Sequence, residues 1–202
     1  MAYESGISND DDFTIIFDGN NLNEWQMAGK GKFVVLRGEE EEKEEQSIIL
    51  QSEGGMGLLW YAKKMYCNFL LRIDWKVNHK SDNSGIFVRF PNPDNDPMIA
   101  VNNGYEIQID DLAIPDGNPI HKTGAIYGFA APSYSSKQIA SKEGGQWNRF
   151  EIKAVDQSYS VILNNTLITE FVGNRSLQGY IGLQNHDSKS KVSFRNIMIK
   201  EI

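Results

Sequence analysis

A strict alternation of polar and apolar residues between Gly104 and Asp111 is the feature that most constrains how this chain can fold. Successive residues of a β-strand point to opposite faces of the sheet. One face would hold Tyr105, Ile107 and Ile109, and the other would hold Glu106, Gln108 and Asp110. We expect the apolar face to be core. The row of carboxylate, amide and carboxylate predicts a face that meets a polar ligand or solvent, and we expect function to lie there.

Short apolar runs recur along the chain and predict an all-β protein. They are rich in Val, Ile, Phe, Tyr and Trp, they are separated by Gly, Asn, Asp, Ser and Pro, and no long segment keeps a helical period. We predict strands at residues 13–17, 33–36, 47–50, 57–61, 68–77, 85–90, 105–110, 125–129, 148–155, 159–163, 166–171, 180–184 and 192–200. About a dozen strands predict two packed antiparallel sheets, a β-sandwich or jelly roll. We expect one domain over 13–202, after a flexible tail at 1–12.

A tight turn is predicted between two of these runs, at Asn164 and Asn165. Asparagine tolerates the positive φ angles that a two-residue hairpin loop demands. The runs 159–163 and 166–171 are therefore predicted to form a β-hairpin.

The last predicted strand changes its apolar parity part of the way along. Its first apolar residues, Val192 and Phe194, have even numbers, whereas the later ones, Ile197 and Ile199, have odd numbers. One extra residue in a strand reverses which side chains face the core. We therefore predict a β-bulge near Arg195-Asn196, which would let all four side chains reach the core.

The acidic charge of the chain is concentrated in one run. The formal net charge is −7, and residues 39–45, with six Glu and one Lys, contribute −5, so the remainder is close to neutral. A near-neutral remainder has no basic field of the kind that binds a phosphate backbone, which argues against nucleic acid as a partner. We interpret the Glu run as a solvated hairpin tip, with a cation-binding or partner-docking loop as the alternative.

Cysteine content and hydropathy bear on the environment of the chain. The single cysteine, Cys67, excludes an internal disulfide. No apolar run approaches the roughly 20 residues of a spanning helix, so we expect no membrane span. The first twelve residues are polar and acidic, unlike a secretory signal, which leads us to expect a cytoplasmic protein or a mature exported form. The sequence leaves the oligomeric state open.

Strand parity collects polar side chains from several predicted strands on one sheet surface. The candidates are Asp74, Arg89, Glu106, Gln108, Asp110, Gln184 and His186. Carboxylate, amide, guanidinium and imidazole groups interleaved with aromatic rings suit a carbohydrate, because hydroxyls need paired donors and acceptors and sugar faces stack on rings. The alternative is a sheet face that is only solvated. Trp147 precedes a strand and is either core or a sugar platform.

The remaining motifs favour no other chemistry. The sequence contains no Gly-x-Ser-x-Gly elbow and no His-Glu-x-x-His zinc motif, and its glycine-rich turns lack the strand-to-helix setting of a phosphate cradle. We interpret His79 and His121 as surface residues. Asp110, Asp111 and the loop 94–96 offer oxygen ligands suited to a calcium-like divalent cation, but their spacing matches no dedicated cage and no residue is assigned as a metal ligand.

Several short motifs, taken in order, resemble those of the 3-keto-disaccharide hydrolase domain family. They are Phe17-Asp18-Gly19 with Leu22 and Trp25, Asn83-Ser84-Gly85-Ile86-Phe87-Val88-Arg89, Gly104 to Asp110, Thr123-Gly124-Ala125-Ile126-Tyr127-Gly128, Trp147-Asn148, Gly179-Tyr180-Ile181-Gly182-Leu183-Gln184-Asn185-His186 and Phe194-Arg195-Asn196-Ile197. The resemblance runs from about residue 13 to the C-terminus. It implies a concanavalin A-like jelly roll that acts on 3-keto-glucosides. In such a sugar the C3 ketone acidifies the C2 proton, so that a base can form an enolate and the C1 aglycone can leave.

The resemblance also implies roles for individual residues. A positioned base and a group that stabilises the enolate oxygen are needed. Glu106 or His186 is the candidate base, and Arg89, Gln108 or a bound cation would stabilise the oxyanion. The candidate substrate-binding residues are Gln108, Asp110, Asp74, Tyr127, Gln184 and Trp147. Asp187 follows His186 where the family commonly has glycine.

Two other functions use the same face. One is a non-catalytic, lectin-like carbohydrate-binding module. The other is a retaining glycosidase of the laminarinase type, since Glu106-x-Gln108-x-Asp110 faintly resembles its alternating carboxylate motif. Strand geometry separates the Cα atoms of Glu106 and Asp110 by roughly 13 Å. Retaining chemistry needs carboxyl groups about 5 Å apart, which argues against the glycosidase.

Overall fold

The computed structural model describes residues 12–19, 22–38, 47–133, 142 and 144–202, and thirteen β-strands make up about half of them. The strands are β1 Thr14–Phe17, β2 Trp25–Gly29, β3 Lys32–Gly38, β4 Ser47–Glu53, β5 Gly57–Tyr61, β6 Phe69–Val77, β7 Ser84–Phe90, β8 Tyr105–Ile109, β9 Asn148–Val155, β10 Ser158–Leu163, β11 Thr166–Val172, β12 Tyr180–Asn185 and β13 Val192–Glu201. A short helix α1, Met98–Asn103, and a 3-10 turn, Pro119–His121, lie on either side of β8. The Glu run and residues 1–11 of the predicted tail lie outside the described residues.

These strands form two antiparallel sheets that pack face to face. The larger sheet has the order β11-β10-β9-β6-β13-β4-β3, with β1 also paired to β13, and the smaller has the order β2-β5-β12-β7-β8. Alternate residues of each sheet point inward, among them Trp75, Phe150 and Phe194 from the larger sheet and Ile86, Ile107 and Leu183 from the smaller, all fully buried. The predicted all-β antiparallel sandwich is therefore confirmed.

Both local sequence predictions are confirmed. Asn164 and Asn165 have φ angles of 48° and 69°, and they join β10 to β11 as a tight hairpin. The register of β13 against β6 shifts between Arg195 and Met198, and Asn196 has a φ of 50°, which marks a β-bulge. The bulge lets β13 bury apolar residues of both parities, as the sequence pattern required.

The segment predicted as a strand at 125–129 is not a strand. Ile126 forms only isolated bridges, because Gly124 and Gly128, with φ angles of 83° and 75°, turn the chain on both sides of it. The segment nevertheless covers the open edge of β8. Its backbone hydrogen bonds to that strand include Gln108 N–H to the Ala125 carbonyl and Tyr127 N–H to the Glu106 carbonyl.

The outer face of the smaller sheet, opposite the core, is only partly covered. Helix α1 buries Ala100 in a second apolar cluster whose other fully buried or nearly buried members are Ala28, Leu58, Trp60, Phe87 and Phe90. The polar residues of β8 and β12 occupy the rest of this face. No helix among the described residues is long and apolar enough to cross a membrane.

Candidate functional site

A cavity of about 340 Å³ opens on the outer face of the smaller sheet. Six of the residues predicted from the sequence line it together: Glu106, Gln108, Asp110, Tyr127, Gln184 and His186. Glu106 and Gln108 come from β8 and Gln184 from β12, and all three are nearly buried, so they form the floor. Strand β7 lies between β8 and β12, and it separates the two polar rows.

A glycine in β7 makes room for the carboxyl group of Glu106. Gly85 pairs with Gln108 across the sheet, and a Cβ atom added to Gly85 would lie 2.1 Å from Glu106 Oε1. The Glu106 side chain therefore occupies the space that a side chain at position 85 would fill. Glycine inside a strand weakens it, and a close approach of this kind is a common reason for its presence.

Burial changes the protonation of Glu106. Removal from water raises the pKa of its carboxyl group to about 8, although a hydrogen bond with the side chain of Gln184 acts in the opposite direction. At neutral pH the carboxyl group is mostly protonated and uncharged. A neutral carboxyl group can donate a hydrogen bond, which a carboxylate cannot do.

Three oxygen atoms on the cavity floor have no hydrogen-bond partner among the described residues. They are Oε1 of Glu106, Oε1 of Gln108 and Oε1 of Gln184. Buried polar atoms are usually satisfied, and a concentration of unsatisfied ones in one cavity points to a polar ligand. Gln108 Nε2 donates a hydrogen bond to Asn83 Oδ1 at 3.3 Å, so the oxygen is the atom of this amide that is left without a partner among the described residues.

Asp110 is committed to local structure. Its Oδ1 accepts hydrogen bonds from the backbone N–H groups of Leu112 and Ala113, at 3.0 and 2.7 Å, and its Oδ2 accepts one from Asn83 Nδ2 at 2.9 Å. Burial raises the pKa of Asp110, and the two backbone donors work against that effect. Asp110 thus shapes the turn that borders the cavity, and Asn83, which was not among the predicted site residues, connects Asp110 to Gln108.

His186 is held by the next residue in the chain. Its Nδ1 lies 2.8 Å from Asp187 Oδ2, while Asp187 also accepts hydrogen bonds from the backbone of Lys189 and Ser190 and from the Ser190 hydroxyl. Burial opposes ionisation of Asp187, but the hydrogen bond with His186 and those from Ser190 and Lys189 outweigh it and lower its pKa to about 2. An ionised carboxylate can only accept, so Nδ1 carries the proton and the neutral ring keeps a lone pair on Nε2.

An aromatic pair borders the same cavity. The rings of His121 and Tyr127 stack at 4.8 Å between centroids, and His121 Nδ1 lies 3.5 Å from Asp116 Oδ2. All three residues line the cavity. His121, which we interpreted as a surface residue, is half-buried here, because the chain reversal after β8 brings it back to the sheet. Its separation from the polar strand in sequence left no pattern that could reveal this contact.

Arg89 lies outside the cavity, contrary to the prediction from strand parity. Its φ of 56° and the shift of register between β7 and β12 mark a bulge, so its fully buried side chain points toward the larger sheet. There the guanidinium group donates to the carbonyl of Cys67 at 2.6 and 3.1 Å, to the carbonyl of Asp156, and to the Tyr159 hydroxyl at 3.0 Å. These contacts link the two sheets.

Asp74 and Trp147 also lie outside the cavity, because both belong to the other sheet or its border. Asp74 in β6 accepts hydrogen bonds from Arg149, at 2.6 and 3.1 Å, and from Asn196 at 2.7 Å. The Trp147 ring lies under the Arg195 guanidinium group, 4.1 Å from its centroid. Parity placed Asp74 correctly on the face opposite the core, but it could not say which sheet its strand joins.

The cavity offers oxygen atoms and imidazole nitrogen, which are common metal ligands. Within the described ranges, no group of three or more His, Cys, Asp or Glu side chains gathers closely enough to hold a metal ion.

An antiparallel sandwich of this topology, with a polar cavity on the outer face of one sheet, defines a jelly-roll protein of the type found in galectin-like folds. The model of the 3-keto-alpha-glucoside-1,2-lyase-like domain matches residues 12–200, and the chain belongs to this family. The family resemblance and the concanavalin A-like jelly roll expected from the sequence are thereby confirmed. No curated protein matches the chain.

Solved structures with this fold include two predicted glycosyl hydrolases from Parabacteroides distasonis. One is 26% identical, with a TM-score of 0.69, and the match covers 94% of this chain and 99% of that one. The other is 21% identical, with a TM-score of 0.71, and the match covers 95% of this chain and 94% of that one. The carbohydrate-binding module CBM66 from Bacillus subtilis is 12% identical, with a TM-score of 0.59, and the match covers 88% of this chain and 96% of that one.

Proposed function

We propose that this protein cleaves 3-keto-glucosides by removing the C2 proton and eliminating the C1 aglycone. One observation carries the proposal: a neutral, buried carboxyl group and a carboxylate-held imidazole line a single polar cavity. Membership of the 3-keto-alpha-glucoside-1,2-lyase-like family and the 26% identical glycosyl hydrolase support a carbohydrate as the ligand.

His186 is the better candidate for the base. Its Nε2 keeps a lone pair when the ring is neutral, and Asp187 stabilises the positive charge that forms when Nε2 accepts the C2 proton. Glu106 is a poor base near neutral pH, because its raised pKa leaves it mostly protonated. This comparison favours His186 over Glu106, the two residues that the sequence left as alternatives.

Glu106 suits the enolate oxygen instead. As the C2 proton leaves, negative charge develops on the oxygen at C3, and a neutral carboxyl group in a dry site donates a strong hydrogen bond to such an oxygen. The enolate then re-forms the C3 ketone and expels the aglycone with the electron pair of the C1–O bond, while the aglycone oxygen takes up a proton from protonated His186 or from water. Water adds later to the resulting C1–C2 double bond. The free Oε1 atoms of Gln108 and Gln184 accept hydrogen bonds from sugar hydroxyls.

A non-catalytic sugar-binding module remains the second candidate, favoured by the same unsatisfied oxygen atoms, which require a polar ligand but no reaction. The retaining glycosidase gains no support. Its second carboxylate would be Asp110, and both oxygen atoms of Asp110 are engaged by Leu112, Ala113 and Asn83.

Incubation with a 3-keto-glucoside and with the same glucoside unoxidised tests the proposal. We expect release of the aglycone from the keto sugar alone, and loss of at least 100-fold in kcat when His186→Ala is introduced. Glu106→Gln keeps a donor but cannot share a proton, and we expect a smaller loss. Binding of both sugars without any release would establish the binding module instead, and release from the unoxidised glucoside would contradict the elimination mechanism.

A further inference from the structure

The mouth of the cavity differs in chemistry from its floor. Four large apolar side chains line the cavity and yet are 39–69% exposed: Met56, Met98, Ile114 and Tyr127. The polar floor residues Glu106, Gln108 and Gln184 are at most 7% exposed. The cavity therefore has a polar floor, which suits a sugar, and an apolar rim at its mouth.

The rim is assembled from separate parts of the chain. Met56 lies in the turn before β5, Met98 is the first residue of α1, Ile114 follows the turn held by Asp110, and Tyr127 comes from the segment along β8. Single exposed apolar residues are normal on a protein surface, but apolar side chains that converge on one ligand cavity mark a contact surface.

Two polar side chains beside the rim, those of Asp116 and His121, are already engaged with each other. Asp116 lies 3.5 Å from His121 Nδ1, and the ring of His121 in turn stacks on Tyr127. A second sugar ring at the mouth would therefore meet methyl groups and a flat ring pair, where its hydroxyls would lose water without gaining equivalent partners. An apolar ring would bury the same surface favourably.

We infer that the preferred substrates are glycosides whose aglycone is an apolar ring rather than a second sugar, with the keto sugar on the floor and the aglycone against the rim of Met56, Met98, Ile114 and Tyr127. The expected preference in kcat/KM rests on the proposed function. The expected preference in binding affinity does not depend on turnover, because an uncleaved glucoside would occupy the floor and rim in the same way.

The test compares three 3-keto-glucosides of one anomeric configuration, with methyl, cyclohexylmethyl and glucosyl aglycones. Methanol and cyclohexylmethanol have similar acidity, so their difference reports contact rather than leaving-group quality. We expect kcat/KM for the cyclohexylmethyl compound to exceed that for the other two by about tenfold, which corresponds to about 55 Å² of apolar surface removed from water. Equal values, or a preference for the glucosyl compound, would overturn the inference.

Variants assign the effect to the rim. In a Met98→Ser, Ile114→Ser double variant we expect the cyclohexylmethyl-to-methyl ratio to fall below about threefold. Leu177→Ser is the matched control, since Leu177 is 52% exposed and lies away from the cavity, and it should leave the ratio unchanged. A ratio that survives in the double variant would contradict the inference.

Calorimetry with the unoxidised cyclohexylmethyl and methyl glucosides separates the two proposals. Absence of turnover with every keto sugar would remove the proposed function. In that case tighter binding of the cyclohexylmethyl glucoside, by about tenfold, would still support the apolar rim, and equal binding would remove it.

Discussion

His186 Nδ1 lies 2.8 Å from Asp187 Oδ2, and this contact joins two neighbouring residues at the end of β12. Three further hydrogen bonds from Lys189 and Ser190 fix the Asp187 carboxylate, so the imidazole ring is held by a group that cannot easily turn. Asp187 contacts the proposed base but does not line the cavity, so we assign it as a positioning residue rather than a catalytic one.

Replacement of Asp187 by asparagine should impair catalysis more than binding. The amide can no longer stabilise a protonated His186, and we expect kcat on a 3-keto-glucoside to fall about 10- to 100-fold with little change in KM. Asp82→Asn is a matched control, because Asp82 also caps backbone N–H groups, those of Asn78 and His79, away from the cavity. An unchanged kcat in Asp187→Asn would contradict this role.

The buried carboxyl of Glu106 should make stability depend on pH. Its pKa of about 8 in the folded protein lies above the ordinary value of 4.5, so the folded state holds a proton that the unfolded state releases between these values. The free energy of unfolding should therefore fall as pH rises from about 4.5 to 8, by up to about 5 kcal/mol from this group.

Thermal denaturation across that pH range measures the effect of Glu106. In Glu106→Gln the amide does not titrate, and the decline in melting temperature between pH 5 and 8 should be smaller than in the original protein. Parallel curves for the two proteins would show that Glu106 is charged in the folded state.

Addition of a methyl group at Gly85 should displace the Glu106 side chain, because the new Cβ would lie 2.1 Å from Oε1. We expect Gly85→Ala to reduce kcat/KM at least about tenfold and to cost about 1–3 kcal/mol of stability. Gly182→Ala is the control. It adds a Cβ 2.8 Å from Leu58 Cδ1 in the same sheet, outside the cavity, and should lower stability while sparing activity. Equal activity losses in both variants would argue against a specific effect on Glu106.

Loss of the Arg89 guanidinium group should destabilise the fold rather than the reaction. Arg89→Met leaves the carbonyls of Cys67 and Asp156 without their donor, and we expect a loss of about 3–5 kcal/mol in the free energy of unfolding. Tyr159→Phe removes a single acceptor of Arg89 and should cost about 1 kcal/mol. Thermal denaturation reads out both. Normal stability together with lost turnover in Arg89→Met would contradict this structural role and support Arg89 as a catalytic residue.

Periodicity predicted the features that depend on neighbouring residues along one strand. The alternation from Tyr105 to Asp110, the Asn164-Asn165 turn and the bulge at Asn196 all follow from local geometry, and each is present. Strand β2, Trp25–Gly29, was missed because Gln26 and Gly29 interrupt its apolar pattern.

The misassigned residues depend on contacts that are distant in sequence. Arg89 was expected to face outward because its strand alternates up to Val88, but an extra residue in the pairing of β7 with β12 turns it inward. Asp74 has the predicted parity but belongs to the larger sheet. Asn83 reaches the cavity from a loop and His121 from the 3-10 turn, where the two-residue repeat of a strand does not apply.

The amino-acid pattern was sufficient to establish an antiparallel sandwich, its core faces and the polar row on β8, because each of these depends on the fixed two-residue repeat of a strand. Long-range strand pairing decided the rest: the order of strands within the sheets, the inward orientation of the Arg89 side chain, and the contacts of Glu106 with Gly85 and Gln184. Backbone hydrogen bonds between strands carry little information about side-chain identity, so the partners of each strand, and with them the composition of the cavity, emerge only when the whole core packs together.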